Sequence, residues 1–461
     1  MMNCRYRTLC IATLFASAFT QPAHADSARS HPASEQEYWA QVDSRNWDDA
    51  VLAAEKLVDA ARAKSNEAPE ELADALSLLG RAQLSARNYL GAEAAYSEAL
   101  QILQPRVVET SDKLLEPLRG MGSTLAYAGK HEEAVPYMER ALLVSRRTEG
   151  LFNTNQEPIL RQLATSLSRL GMYVEAEQHM QYLVRVGEQT YGAKDPRMSR
   201  IYDLLGDFYI QLGAITFARQ AYENALKIVE KKLGRNDIAT VMPLRAYAES
   251  FRRELDWSLY GVRTPADKKA ALMNDHLTQP DGKPMNPRFL NTDGERALKR
   301  AIKTLDSHPN RPTALLYDTL LDLGDWYMIK GDSRRALPQY RRAMALLGEV
   351  EPDRKLAAKA KVSFPVQVYY PIPSAATRNL NRPDEDVEER YVHVAFTVNP
   401  DGSVSGERVI EANASPRHVN ETLNAVRDAR YRPKFVNGEP VATEDLSLRQ
   451  IFKVRREREA G

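Results

Sequence analysis

A step of 42 residues governs this chain. Turns at Arg45, Arg87, Gly129, Gly171 and Gly213 stand one step apart, and an alanine follows each five residues on, at Ala50, Ala92, Ala134, Ala176 and Ala218. Seven residues before the last four turns stand Gly80, Gly122, Ala164 and Gly206, with bulky residues such as Leu76, Tyr96, Leu118 and Met138 at helical spacing between them. A lone small residue in a helix means little. Recurrence at a fixed period marks places where two helix axes approach too closely for a larger side chain. The pattern predicts helix-turn-helix units, each burying its apolar face only by stacking on its neighbours, and so a mainly α chain.

The segments Leu79-Gly80, Tyr89 to Ala92 and Tyr96 to Leu100, followed by Pro105, resemble the tetratricopeptide repeat family in a long-repeat form. That family's usual unit is about 34 residues, so each helix here gains about one turn. A sixth first helix, Thr240 to Trp257, precedes a Pro- and Gly-rich stretch at about 261–293 that breaks the period and reads as an insertion. A second helix at Glu295 to Leu305 follows, and Leu323-Gly324, Gly331, Ala336 and Tyr340 restore one further unit. The array is expected over 35–350. The resemblance implies a superhelix whose concave side, lined by first helices, binds a peptide or protein. Helix phase places Arg81, Arg119, Arg161, Arg245 and Arg252 on that side, where guanidinium forks suit carboxylates. Asp203, Asp207 and Glu249 interrupt the stripe, and an ordinary solvated face is the competing reading.

The helical period ends near Pro352, and 351–364 is expected as a linker. The residues from 365 to 461 then read strand, strand, helix, strand. Tyr391 to Val398 alternates, Asn399-Pro400-Asp401-Gly402 turns, and Val404 to Ile410 returns as a hairpin. Val419, Leu423 and Val426 keep helical spacing, and Leu446, Leu448, Phe452 and Val454 mark a closing strand. Tyr370-Pro371, Val392 to Val398, Asp401-Gly402, Ala425-Val426-Arg427, Tyr431, Pro433, Asn437-Gly438 and Phe452 together resemble the C-terminal domain of TonB-family energy transducers. The resemblance implies a small α+β domain that contacts the periplasmic face of an outer-membrane receptor, taking up a receptor segment as an added strand. It directs attention to Tyr370, Pro371, Arg449, Ile451 and Lys453. The competing reading leaves Tyr370 packing the sheet and the strand an edge guarded by charge.

The first 25 residues read as a secretory signal. Arg5 and Arg7 precede an apolar run from Thr8 to Phe19, and Ala23-His24-Ala25 offers a cleavage site. The expected location is the periplasm. Cys4 and Cys10 both lie inside this segment, so the mature chain has no thiol for disulfides, nucleophilic attack or zinc. The 63 Lys and Arg against 62 Asp and Glu give no basic field for nucleic acid. The eight histidines are scattered without metal-site spacing, Gly129-Lys130 lacks the upstream glycine of a phosphate loop, and the acidic run Asp384 to Glu389 has no calcium-loop glycine. No metal, cofactor or catalytic group is expected. The favoured expectation is an exported, non-catalytic adaptor with protein or peptide partners, among them an outer-membrane receptor segment. Two other readings stay open: a transport component that keeps its N-terminal anchor, and an enzyme housed in the insertion.

Overall fold

The computed structural model describes residues 32–260, 292–377 and 387–455. The proposed signal, nearly all of the insertion and the start of the acidic run lie outside the described residues. The chain divides into two compact units, the first ending at Val144 and the second beginning at Ser145.

In the first unit, α1 (Gln36–Asp43), α3 (Pro69–Ser85) and α5 (Leu115–Tyr127) are first helices, and α2 (Trp47–Arg62), α4 (Tyr89–Leu103) and α6 (His131–Thr148) are second helices, α6 ending just past the unit's limit. The second unit continues the pattern with α7 (Glu157–Arg169) and α8 (Tyr173–Tyr191), α9 (Met198–Gln211) and α10 (Ile215–Leu233), α11 (Val241–Tyr260) and α12 (Thr292–Ser307), and α13 (Thr313–Ile329) and α14 (Ser333–Leu346).

Each turn ends its first helix in the same way. Arg45, Arg87, Gly129, Gly171, Gly213 and Gly331 all have φ between 56° and 83°. The next amide reaches back to the first helix: Asn88 N–H to Leu84's neighbour Gln83 at 2.8 Å, Lys130 to Leu125 at 2.8 Å, Ala214 to Tyr209 at 2.8 Å. This is the left-handed helix stop that satisfies orphan carbonyls and favours glycine. Arg45 and Arg87 take the same conformation with a side chain.

The small residues are contact points. The six alanines five past each turn, including Ala336, are wholly buried. A Cβ added at Gly80 would lie 2.8 Å from the Tyr96 ring, at Gly206 2.3 Å from Tyr222, and at Gly324 2.2 Å from Tyr340. The large partner always stands nine residues past the turn. In the first repeat the sizes are exchanged: Tyr38 stands where the others have Gly or Ala, and Ala54 where they have Tyr or Met, both buried in one cluster. The volume across the helix pair is kept, as dense packing requires.

Residues 351–364, expected as a linker, contain α15 (Pro352–Ala360) instead. Ala358 and Val362 are buried in the core of the last repeats, and the Tyr317 hydroxyl donates to the Ala358 carbonyl at 2.8 Å. A segment with two inward apolar residues at this spacing packs rather than tethers.

Beyond it, β1 (Val366–Tyr369) pairs with β4 (Arg430–Arg432), and β5 (Lys434–Val436) forms a tight hairpin with β6 (Glu439–Val441) around Asn437 and Gly438, both at positive φ. The main sheet joins β2 (Val387–Val398), β3 (Val404–Ala412) and β7 (Thr443–Arg455) in the order β3-β2-β7, all antiparallel. Val392, Val394, Phe396 and Val398 alternate inward, and with Phe452 they pack on Ala425 and Val426 of α16 (Pro416–Asp428).

This sheet is fastened to the last repeats inside the second unit. Arg432 of β4 makes a two-pronged ion pair with Asp325 of α13, at 2.9 and 2.6 Å, with both side chains almost fully buried. Asp325 also accepts from the Tyr340 hydroxyl at 2.8 Å, and Arg432 donates to the Lys361 carbonyl at 3.0 Å. Phe435 sits in the repeat core with its ring edge-on to Tyr340 at 5.9 Å.

Candidate functional site

Two kinds of surface compete for the role of binding site. The first is the face of the first helices. In the first unit, Arg81 donates to Glu116 Oε1 at 2.8 Å and lies 5.5 Å over the Trp39 ring, and Arg119 also pairs with Glu116. Burial works to raise the Glu116 pKa, but Arg81 and Arg119 overcome it and bring the carboxyl down to about 2. In the second unit, Arg245 pairs with Asp322 at 2.8 Å, and Arg252 lies 3.4 Å from Glu249 and 3.8 Å from Asp325. Arg161 stands on α7 and lowers the pKa of Asp207. The forks of Arg81, Arg119, Arg245 and Arg252 are therefore engaged by carboxylates of the same chain.

Asp203 and Asp207 lie one turn apart on α9. Burial, then the charge of Asp207, pushes Asp203 well above the ordinary carboxyl range. Burial likewise raises Asp207 to about 6, opposed by a 2.7 Å hydrogen bond from the Tyr222 hydroxyl and by Arg161. Among the described residues, no group of three or more His, Cys, Asp or Glu is placed to hold a metal ion.

The second surface is the margin of the main sheet. Among the described residues both outer strands are edges, but they differ. β3 meets β2 with two irregularities of register, between His393 and Val394 and between Ala395 and Thr397. β7 follows β2 without interruption from Val387↔Arg455 to Phe396↔Leu446, and its one irregularity falls at its start, between Phe396 and Val398, where Asp445 has φ 53°. Bulges twist an edge away from further pairing, whereas a long regular edge is a template for it. Among the described residues β7 pairs with β2 alone.

The alternation of the ladder fixes which groups this edge displays. The Tyr391 N–H donates to the Asn413 side chain at 2.6 Å, and its carbonyl accepts from the Asn413 N–H at 3.1 Å. Both backbone groups of Tyr391 thus turn toward β3. Its partner Ile451 then forms a pair without hydrogen bonds to β2, and the Ile451 N–H and carbonyl point outward. Two residues away, Arg449 does the same.

The expected site residues gather here. Ile451 is 42% exposed, and the Arg449 guanidinium lies 3.5 Å from the centroid of the Tyr391 ring. Lys453 stands two residues further along the same face, paired in register with Glu389. Tyr370 is buried in the sheet's own core, with Pro371 following it, and its hydroxyl donates to Gln450 Oε1 at 3.1 Å. Sequence reasoning passed over Gln450 and Tyr391. The signal for Gln450 was available: a polar residue in the inward register between Leu448 and Phe452.

The chain carries tetratricopeptide repeats and a TonB-type C-terminal domain. The tetratricopeptide repeat model matches residues 113–185 and 155–231, and the model of the Gram-negative bacterial TonB protein C-terminal matches residues 387–454. Both are protein-interaction modules, the second of the Gram-negative envelope, and no enzyme family is indicated. No curated protein matches the chain. Among solved structures it is similar to BtubC from P. vanneervenii, at 18% identity over 66% of this chain and 91% of that one, TM-score 0.36. It is also similar to a tetratricopeptide repeat protein from Parabacteroides merdae, at 14% identity over 70% and 95%, TM-score 0.37. No helix among the described residues is long and apolar enough to cross a membrane.

Proposed function

We propose that this protein is an exported, non-catalytic adaptor of the cell envelope whose C-terminal sheet takes up an extended segment of a partner protein along β7. The observation that carries the proposal is the contrast between the two edges, with β3 bulged twice along its length and β7 irregular once at its start and regular over the ten successive pairs that follow. An added strand gains affinity from backbone hydrogen bonds and selectivity from alternate side chains. An outer-membrane receptor's periplasmic segment is the partner this reading favours, and cleavage of the first 25 residues leaves the chain free in the periplasm. The first-helix faces are the second surface of the adaptor. A partner carboxylate reaching Arg81, Arg119, Arg245 or Arg252 has to compete with Glu116, Asp322, Glu249 or Asp325, so these forks add less than their number suggests.

The test is Ile451→Pro in the full chain. The Ile451 N–H faces outward, so proline there removes no bond of the β2–β7 ladder and is compatible with an edge strand. The expected outcome is loss of partner capture from native envelope with unchanged thermal unfolding. Undiminished capture by a folded variant refutes pairing at β7.

A further inference from the structure

The outward carbonyl of Ile451 is not bare. Gln450 Nε2 donates to it at 2.9 Å, while the other end of the same carboxamide, Oε1, accepts from the Tyr370 hydroxyl. The two contacts fix the amide's orientation, since only the nitrogen can donate to a carbonyl and only the oxygen can accept from the hydroxyl when it donates. Gln450 belongs to the inward register with Leu448 and Phe452, so its side chain reaches an edge group that its own backbone does not display. Tyr370 is 6% exposed and anchored in the sheet core, which gives the amide a fixed support.

We infer that Gln450 is a removable cap on the β7 edge, held by Tyr370, which occupies the Ile451 carbonyl until a backbone N–H of the incoming strand replaces it. This rests on the edge-pairing proposal and deepens it in two ways. It makes Gln450 a determinant of affinity, because the cap must be displaced at the centre of the new ladder. It also sets the partner's chemistry. Beside the displaced cap, the edge presents exposed Ile451 with the Arg449 cation two residues away on the same face, and cross-strand neighbours favour apolar against apolar and opposite charges. The occupant is an extended peptide that sets an apolar side chain against Ile451 and, at the alternate position, an acidic one against Arg449. An unpaired polar edge group invites promiscuous pairing, and a self-supplied donor suppresses it without lengthening or bulging the strand.

The probe is a fluorescein-labelled nine-residue peptide with Asp and Val at alternate central positions, together with a twin N-methylated at the alternate amides that would face β7. Fluorescence anisotropy follows both against the full chain, Gln450→Ala, Gln450→Met and Tyr370→Phe. Removing one competing neutral hydrogen bond should tighten binding of the unmodified peptide about fivefold in both Gln450 variants, and less in Tyr370→Phe. The methylated twin should bind none of them. Gln450→Met keeps the side-chain volume, so agreement between the two Gln450 variants excludes a packing effect. If the native chain binds the peptide and rejects the twin, yet both Gln450 variants bind with native affinity, the cap is refuted and edge pairing stands. If the twin binds as well as the peptide, edge pairing itself fails.

Discussion

The helical repeats and the sheet at the end of the chain treat their polar groups in opposite ways. On the first helices, Arg81 and Arg119 close on Glu116 and Arg245 closes on Asp322, while Asp207 is held by Tyr222 of the second helix α10. Groups that look poised for a ligand are held by neighbours in the fold. On the sheet, β7 leaves its outer backbone side without a neighbouring strand among the described residues, and Gln450 attends to the Ile451 carbonyl. The lesson is that charged side chains at a repeated inward position are weak evidence of a binding face, because a stacked array brings complementary charges from adjacent helices to the same place. A backbone edge has no such internal remedy short of a bulge or a cap.

Three measurements sharpen or break that contrast, since changes in the repeats should alter stability and changes on the edge should alter binding. The largest effect is expected at the fastening between the two regions. Asp325→Ala leaves Arg432 buried without its counter-ion and should destabilise the second unit by about 3–5 kcal/mol in urea unfolding. Replacing both partners with apolar residues should recover most of that loss. A loss under about 1 kcal/mol would show that the sheet is not held by this pair.

Next is the acid response. The folded pKa of Asp207 is raised from 3.8 to about 6, so the folded chain binds more protons than the unfolded one between those values, and stability falls as pH rises through them. With allowance for partial exposure, the change should be about 1–2 kcal/mol. Glu116 has the opposite sign: its folded pKa is lowered from 4.5 to about 2, so its contribution is present above the unfolded value and is lost as pH falls toward 2. Denaturation midpoints of the native chain and Asp207→Asn at pH 4.5 and 7.5 separate the two, because only the native chain should weaken over that interval through this group.

The smallest expected effect is at the helix stops. Arg87 holds φ 62° with a side chain where the later turns have glycine. Arg87→Gly should stabilise the first unit by about 1 kcal/mol, as relief of left-handed strain outweighs the added freedom of the unfolded chain. The midpoint of thermal unfolding reads it directly.

Much of this fold was legible because its determinants repeat. The 42-residue step located the five helix stops from Arg45 to Gly213, and the same offsets accounted for Gly324, Ala336 and Tyr340 around a sixth stop at Gly331. In the sheet, strict alternation from Val392 to Val398 identified the inward face. The remainder was hidden for stated reasons. Strands of three or four residues such as β1, β4, β5 and β6 are too short to show a period. The Arg432–Asp325 pair joins positions 107 residues apart, and nothing local marks either member. The exchange of Tyr38 and Ala54 conserves volume while breaking the pattern of residue types. The candidate edge was visible as a strand, but which of its backbone groups face outward depended on the Asn413 contacts to Tyr391.

The central claim is that a partner is received on the outer side of β7. Amide hydrogen exchange along the full chain, alone and with a captured envelope partner bound, tests it most directly. The account predicts that the amides of Arg449 and Ile451 become protected on binding while those of α3, α7 and α11 exchange as before. Protection confined to the first helices, with the Arg449 and Ile451 amides unchanged in the bound state, would contradict it.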